Sequence, residues 1–221
     1  MFNKKDITIN YDPVYYIVIR NVFPKEINKK ILDEAISNKK NFNPSSVGGK
    51  ENNIIKKTRS NISSFYDEVY ASDRTKSILL KTMDNFFSHS SIGAILSSSR
   101  IPLNEFSGTN VHETQVSRYG NDKQKYDWHC DSSDKKRIIT MVYYMNKEPK
   151  KYTGGEIQLS RSPCMFGKLV DDKKDNTITI TPENNMMIIF AGNDSHRVLQ
   201  TTSPKKFEGG RFSVNCWIGK K

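Results

Sequence analysis

The sequence predicts a mainly β fold of the α+β kind, a double-stranded β-helix (jelly-roll) core with N-terminal supporting helices. Two observations predict it. From residue 110 onward, eight or nine short β-branched and aromatic runs follow one another, separated by turn residues. Before that point the hydrophobic period is helical in two stretches. A chain of 221 residues is one domain by default. The expected division is a support region over 1–109 and a jelly-roll core over 110–221.

In chain order, Val14–Arg20 reads as a strand and Pro24 opens a helix. Ile27, Ile31 and Ala35 recur at four-residue spacing with Leu32 and Ile36 beside them, one apolar stripe. Proline is tolerated at a first helical position because its missing N–H has no partner there. Lys39 and Lys40 suit the negative end of the helix dipole. A polar loop is expected over 41–61, then a second helix from Thr75 to His89 burying Leu79, Met83, Phe86 and Phe87. Ser97-Ser98-Ser99 and Pro102 read as loop. The expected strands are Glu113–Tyr119, Asp127–Asp131, Arg137–Asn146, Glu156–Ser160, Lys168–Val170, Thr177–Thr181, Met186–Phe190, Arg197–Thr201 and Arg211–Ile218. Gly120-Asn121-Asp122, Gly154-Gly155, Asp171-Asp172, Pro182–Asn185 and Gly209-Gly210 supply the turns. The two helices are expected outside one sheet.

Composition narrows the function classes. The net charge of +11 suits acidic partners, but the lysines are spread as pairs through loop-like segments rather than gathered in a patch. Cys130, Cys164 and Cys216 are odd in number and lack CxxC spacing, which argues against a disulfide framework or a structural zinc site. No apolar run follows Lys4-Lys5, and no stretch approaches the roughly twenty apolar residues of a membrane helix. The expectation is a cytoplasmic protein with no membrane partner; its oligomeric state is not readable.

The chemistry concentrates in Trp128-His129-Cys130-Asp131. On a strand, residues two apart share a face, so His129 and Asp131 can reach one ion while Cys130 points away. A distant histidine completes a two-histidine, one-carboxylate face, which leaves adjacent positions open and suits non-haem Fe(II). His196 follows the apolar run Met187–Phe190 and a turn over 191–195. Taken alone it reads as a surface histidine; paired with His129 and Asp131 it reads as a ligand. His89 and His112 lack such partners and read as structural, with His112-Glu113 the weaker zinc alternative. Downstream, Arg211, Ser213, Asn215 and Trp217 share one strand face while Phe212, Val214 and Cys216 share the core-like other. An inward guanidinium needs an anion, although an exposed arginine at a strand start remains open at this point.

These motifs, in this order, resemble the Fe(II)/2-oxoglutarate dioxygenases, specifically the prolyl 4-hydroxylase-like branch. The resemblance spans about residues 113–218, with Tyr15–Lys40 similar to its support region. It rests on Gln115–Gly120 leading into Tyr126–Asp131, on Ile139–Asn146, on Gly154-Gly155-Glu156, on His196, and on Arg211 with Trp217 six residues later. It implies Fe(II) bound by His129, Asp131 and His196. It implies 2-oxoglutarate with its far carboxylate on Arg211, helped by the Tyr144 hydroxyl, with Tyr119, Ser213 and Trp217 around the cosubstrate. Oxygen is the second cosubstrate and ascorbate the reductant. The fifteen residues from His196 to Arg211 exceed the usual gap, and Pro204–Glu208 is expected to loop out.

The implied reaction is hydroxylation of a C–H bond coupled to decarboxylation of 2-oxoglutarate, with a peptidyl proline as the leading target. A protein or peptide is then the partner, read by the barrel mouth and loops such as 41–61 and 121–125. Three alternatives stay open. A nucleic-acid oxidative demethylase fits the charge, but the alkylation-repair members carry a second arginine where this chain has Trp217. A free amino acid hydroxylase and a non-catalytic jelly-roll binder are the others.

Overall fold

The computed structural model describes residues 4–46, 58–88, 111–120, 123–131 and 137–219. The N-terminal half contributes β1 (Ile7–Asn10), β2 (Tyr16–Arg20), α1 (Lys25–Ser37), β3 (Asn43–Pro44), β4 (Ile62–Phe65), α2 (Tyr66–Val69) and α3 (Ile78–Ser88). The C-terminal half contributes β5 (Val111–Tyr119), β6 (Gln124–His129), β7 (Arg137–Met145), β8 (Thr153–Gly154), β9 (Ile157–Ser160) and β10 (Cys164–Met165). It continues with β11 (Lys168–Leu169), β12 (Thr177–Ile180), β13 (Met186–Ala191), β14 (Ser195–Thr202) and β15 (Arg211–Gly219). The larger sheet runs β1-β2-β13-β7-β15-β5-β4-β3; the smaller runs β12-β9-β14-β6, with β8 also on β14. From β5 on, the chain keeps crossing between the two sheets, which is the expected double-stranded β-helix.

Period-two alternation decides what each face of the large sheet buries. On β13, Met187 and Ile189 pack outward with Ile31, Leu32, Ala35, Leu79 and Met83 of the helices. Met186, Ile188 and Phe190 point inward, beside Tyr144, Ile157 and Leu159. Of the stripe predicted for the first helix, Ile31, Leu32 and Ala35 are buried, Ile27 and Ile36 are partly buried, and Asn28 is buried with them. That asparagine accepts the Tyr143 hydroxyl at 2.5 Å, tying α1 to the sheet.

Several expectations shift. Pro24 caps α1 from outside rather than opening it, and Lys39 and Lys40 lie in a 3-10 turn beyond its last turn. The second helix starts at Ile78, later than Thr75, because Arg74–Lys76 form their own 3-10 turn after an Asp73 side-chain cap. His89, Ser97–Ser99 and Pro102 lie outside the described residues, as do parts of the loops 41–61 and 121–125. The 41–61 stretch is not all loop: β3 pairs with β4, and Arg59 bridges to Tyr126. Lys168-Leu169 pairs locally with β10 as a hairpin. Pro204, Lys205 and Lys206 loop out between β14 and β15 as expected, but the end of the segment turns back as a 3-10 turn over Phe207–Gly209. Phe207 is buried between Phe42 and Phe212, with ring centroids at 5.3 and 5.4 Å. Arg118 lies over its ring and donates to its carbonyl at 3.0 Å.

Candidate metal and cosubstrate site

His129 ends β6, Asp131 follows in a bend, and His196 stands near the start of β14. The two histidines are register partners across the small sheet, so strand pairing alone sets them side by side. One ligand atom from each of the three residues lies within 4.8 Å of the others. His196 Nε2 is 3.4 Å from Asp131 Oδ2, and His129 Nε2 is 4.0 Å from Asp131 Oδ1.

Backbone carbonyls orient both rings. His129 Nδ1 sits 2.8 Å from the Asp127 carbonyl and His196 Nδ1 3.0 Å from that of Asp194. A carbonyl only accepts, so each Nδ1 carries a proton and each Nε2 is the nitrogen turned to the centre, able to give a lone pair when the ring is neutral. Asp131 arrives differently from the expectation of one strand face. Its N–H donates to the Gly192 carbonyl at 2.9 Å and its Oδ2 accepts from Thr140 Oγ1 at 2.7 Å. Burial works against its charge, yet His196, His129 and the Trp217 indole overcome that and hold its carboxyl well below the ordinary range. Burial, then the neighbouring His196, pushes His129 down and favours the neutral form a metal needs. Among the described residues, no other histidine, cysteine or carboxylate cluster has this spacing.

Beside the triad opens a cleft of about 1310 Å³ lined by Tyr119, Arg211, Ser213 and Trp217 among others. Arg211 is 1 % exposed. Its guanidinium carbon lies 4.9 Å from the ring centroids of both Tyr119 and Tyr144, and NH1 reaches Ser213 Oγ at 3.3 Å. Its Nε and NH2 have no hydrogen-bond partner, and neither do the buried hydroxyls of Tyr144, Tyr152 and Thr201. Such a group of orphaned donors around a buried cation is costly unless an anion occupies it. Gly155 makes room: at φ +74, a Cβ there would stand 2.5 Å from Arg211 Cδ and 2.7 Å from Thr201 Oγ1. The paired glycines therefore serve the arginine as well as the turn. This donor set fits a carboxylate, and the triad fits a divalent ion with open positions.

Of the residues singled out in the sequence, His129, Asp131 and His196 come together at one end. Arg211, Tyr119, Ser213 and Trp217 line the adjoining cleft, and Tyr144 backs Arg211 from the apolar interior. Tyr152, Thr201 and the aromatic neighbour of His129 went unread. The last is Tyr126, stacked on His129 at 3.5 Å between centroids and 18° between planes. Register supplied the missing signal, since Thr201 pairs with Gly154.

With this geometry in hand, three comparisons place the chain. Residues 114–219 match the model of the 2OG-Fe(II) oxygenase superfamily. That stretch is a 2OG-Fe(II) oxygenase domain. An uncharacterized PKHD-type hydroxylase from Synechocystis sp. is 30 % identical over 213 residues, covering 95 % of this chain and 64 % of the relative, so the chain spans under two thirds of that protein. A Trichoplax adhaerens prolyl hydroxylase, solved with a hypoxia inducible factor oxygen degradation domain peptide, superposes with a TM-score of 0.65. Its identity is 16 %, over 93 % of this chain and 83 % of that one. A Pseudomonas putida prolyl-4-hydroxylase superposes at 0.62 with 16 % identity over 94 % of each chain. The superfamily's cofactors are Fe(II), 2-oxoglutarate and O2, and the triad suits the iron. No helix among the described residues is long and apolar enough to cross a membrane.

Proposed function

We propose that this 2OG-Fe(II) oxygenase is a peptidyl hydroxylase acting on proline, with residues 1–221 forming one catalytic unit. His129, Asp131 and His196 hold the iron. Arg211 receives the far carboxylate of 2-oxoglutarate, with the Tyr144, Tyr152 and Thr201 hydroxyls closing round it and Tyr119, Ser213 and Trp217 forming the walls. The observation that carries this is the buried Arg211 with its unpartnered Nε and NH2 amid three unpartnered hydroxyls, one cavity away from the triad. When bound, iron, 2-oxoglutarate and oxygen supply the oxidising power that inserts one oxygen atom into a C–H bond, releasing succinate and CO2.

The chain's own part is positional. The carbonyls of Asp127 and Asp194 fix the imidazole tautomers; Thr140 aims Asp131, and the neighbouring His196 and His129 hold its carboxyl low. The buried walls keep bulk water from the charged groups, which strengthens each interaction there. Support for a proline-containing peptide comes from the two prolyl hydroxylases that share the fold, one of them holding a peptide.

The test has two stages. Anaerobic Fe(II) and 2-oxoglutarate are titrated into the protein and the charge-transfer band is followed; His129→Ala is expected to abolish it. In air, proline peptides are expected to stimulate succinate formation and gain one oxygen atom. A band that persists in His129→Ala refutes the ligand set. Stimulation by an oligonucleotide instead of any peptide refutes the substrate class.

A further inference from the structure

Arg211 is not the cleft's sole guanidinium lacking a carboxylate. Arg59 lines the same cavity. Its segment closes the seam between the sheets: Thr58 and Ser60 bond along the edge of β6, and the next residues, as β4, pair with β5. The guanidinium rests 4.5 Å over the Tyr126 ring, which stacks on His129.

Three neutral acceptors hold it. Nε donates to Asn61 Oδ1 at 2.9 Å, NH1 to the Ser46 carbonyl at 3.2 Å and NH2 to Gln115 Oε1 at 3.0 Å. A guanidinium has five N–H donors, so two remain. Among the described residues that line the cavity, Glu113 takes Arg137 at 2.6 Å, Asp67 takes Arg74, Asp131 belongs to the triad, and the exposed Glu68 makes no ion pair with Arg59. Part of the cavity wall is polar too: Ser45, Ser63 and Asn215 line it, Asn215 donates to Ser117 Oγ at 3.1 Å, and Ser45 donates to Ser63 Oγ at 2.7 Å. A bare apolar ring gains little from such a wall, whereas a charged side chain with its main chain does.

We infer that Arg59 is a specificity residue, fixed in advance to receive a carboxylate of the substrate, supplied by an aspartate or glutamate beside the residue that is hydroxylated. This deepens the peptide reading and rests on it. The overall charge of +11 draws an acidic peptide in the same direction. Holding the guanidinium by three bonds removes most of the ordering cost on binding.

The test compares peptides that differ by one atom group: proline peptides with Asp or Glu next to the proline, and their Asn or Gln twins. Binding is measured by fluorescence anisotropy to the anaerobic protein loaded with Fe(II) and 2-oxoglutarate. The acidic peptide is expected to bind about tenfold tighter than its amide twin at low salt, with the gap narrowing as salt rises. R59Q is expected to bring the two within about twofold while keeping the charge-transfer band, and R59K to retain part of the gap. Equal binding of the twins by the unaltered protein overturns the inference, as does a gap that survives in R59Q. Loss of the band in R59Q together with the gap assigns Arg59 to the cofactor site and also overturns it. Free glutamate and free proline are run alongside; tighter binding of either than of the acidic peptide overturns a peptide source. Absence of the band in the unaltered protein fails the oxygenase reading, a result separate from all of these.

Discussion

At the scale of the residue, Arg211 shows how a single side chain can carry a functional argument. Period two on the last strand put it on the inner face with Ser213, Asn215 and Trp217, and the same period put Phe212, Val214 and Cys216 against the helices. Both follow from alternation alone. The orphaned hydroxyls around it were not legible, because Tyr152 and Thr201 approach through pairing between strands distant in sequence. Arg211→Ala is expected to weaken 2-oxoglutarate on the order of a hundredfold, since a buried charge-assisted pair is lost. Iron affinity should change far less. Separate titrations of metal and cosubstrate check this, and equal losses would mean the guanidinium is not the clamp.

At the scale of the element, β6 departs from regular alternation. His129 faces His196 and Tyr126 faces Val198, three steps on one strand against two on the other. This irregularity turns Tyr126 and His129 into the same cavity, where regular pleating would have opposed them. The sequence held no sign of it, because a bulge is set by the partner strand. The same is true of β4: Ile62-Ser63-Ser64-Phe65 lacks a β-branched run and is a strand through its pairing with β5. By contrast, the turn at Pro182–Asn185 was legible from its residue types, and it does more than reverse the chain. Asn185, at φ 61, accepts from Phe23 N at 3.0 Å and donates to Phe23 O at 2.7 Å, fastening the start of α1 to the sheet. Asn185→Ala leaves both buried backbone groups unsatisfied and brings a side chain less tolerant of that backbone region. We expect a loss of about 2–4 kcal/mol, read from the urea midpoint at unchanged slope.

At the scale of the whole molecule, the helices on the outer face make the large sheet a wall buried on both sides, and Cys216 reports on it. Burial pushes its thiol up to about 12 from an ordinary 9.0. Between those values the unfolded chain has released a proton that the folded chain keeps. The unfolded state then binds fewer protons, so stability falls as pH rises above about 9. The expected slope from this group is about 1 kcal/mol per pH unit. Urea midpoints at pH 8 and pH 10 measure it, and Cys216→Ala should flatten the decline relative to the unaltered chain.

The two halves of the candidate site belong to different layers. The imidazoles stand on the small sheet, while Arg211, Ser213 and the Thr140 that steadies Asp131 stand on the large one. On the proposed reading, a molecule gripped at one end through the ion and at the other by the guanidinium spans the gap like a rivet. Whatever affinity it has for the folded chain resists the layers parting, so the concentration of that molecule and the stability of the fold become linked in one protein.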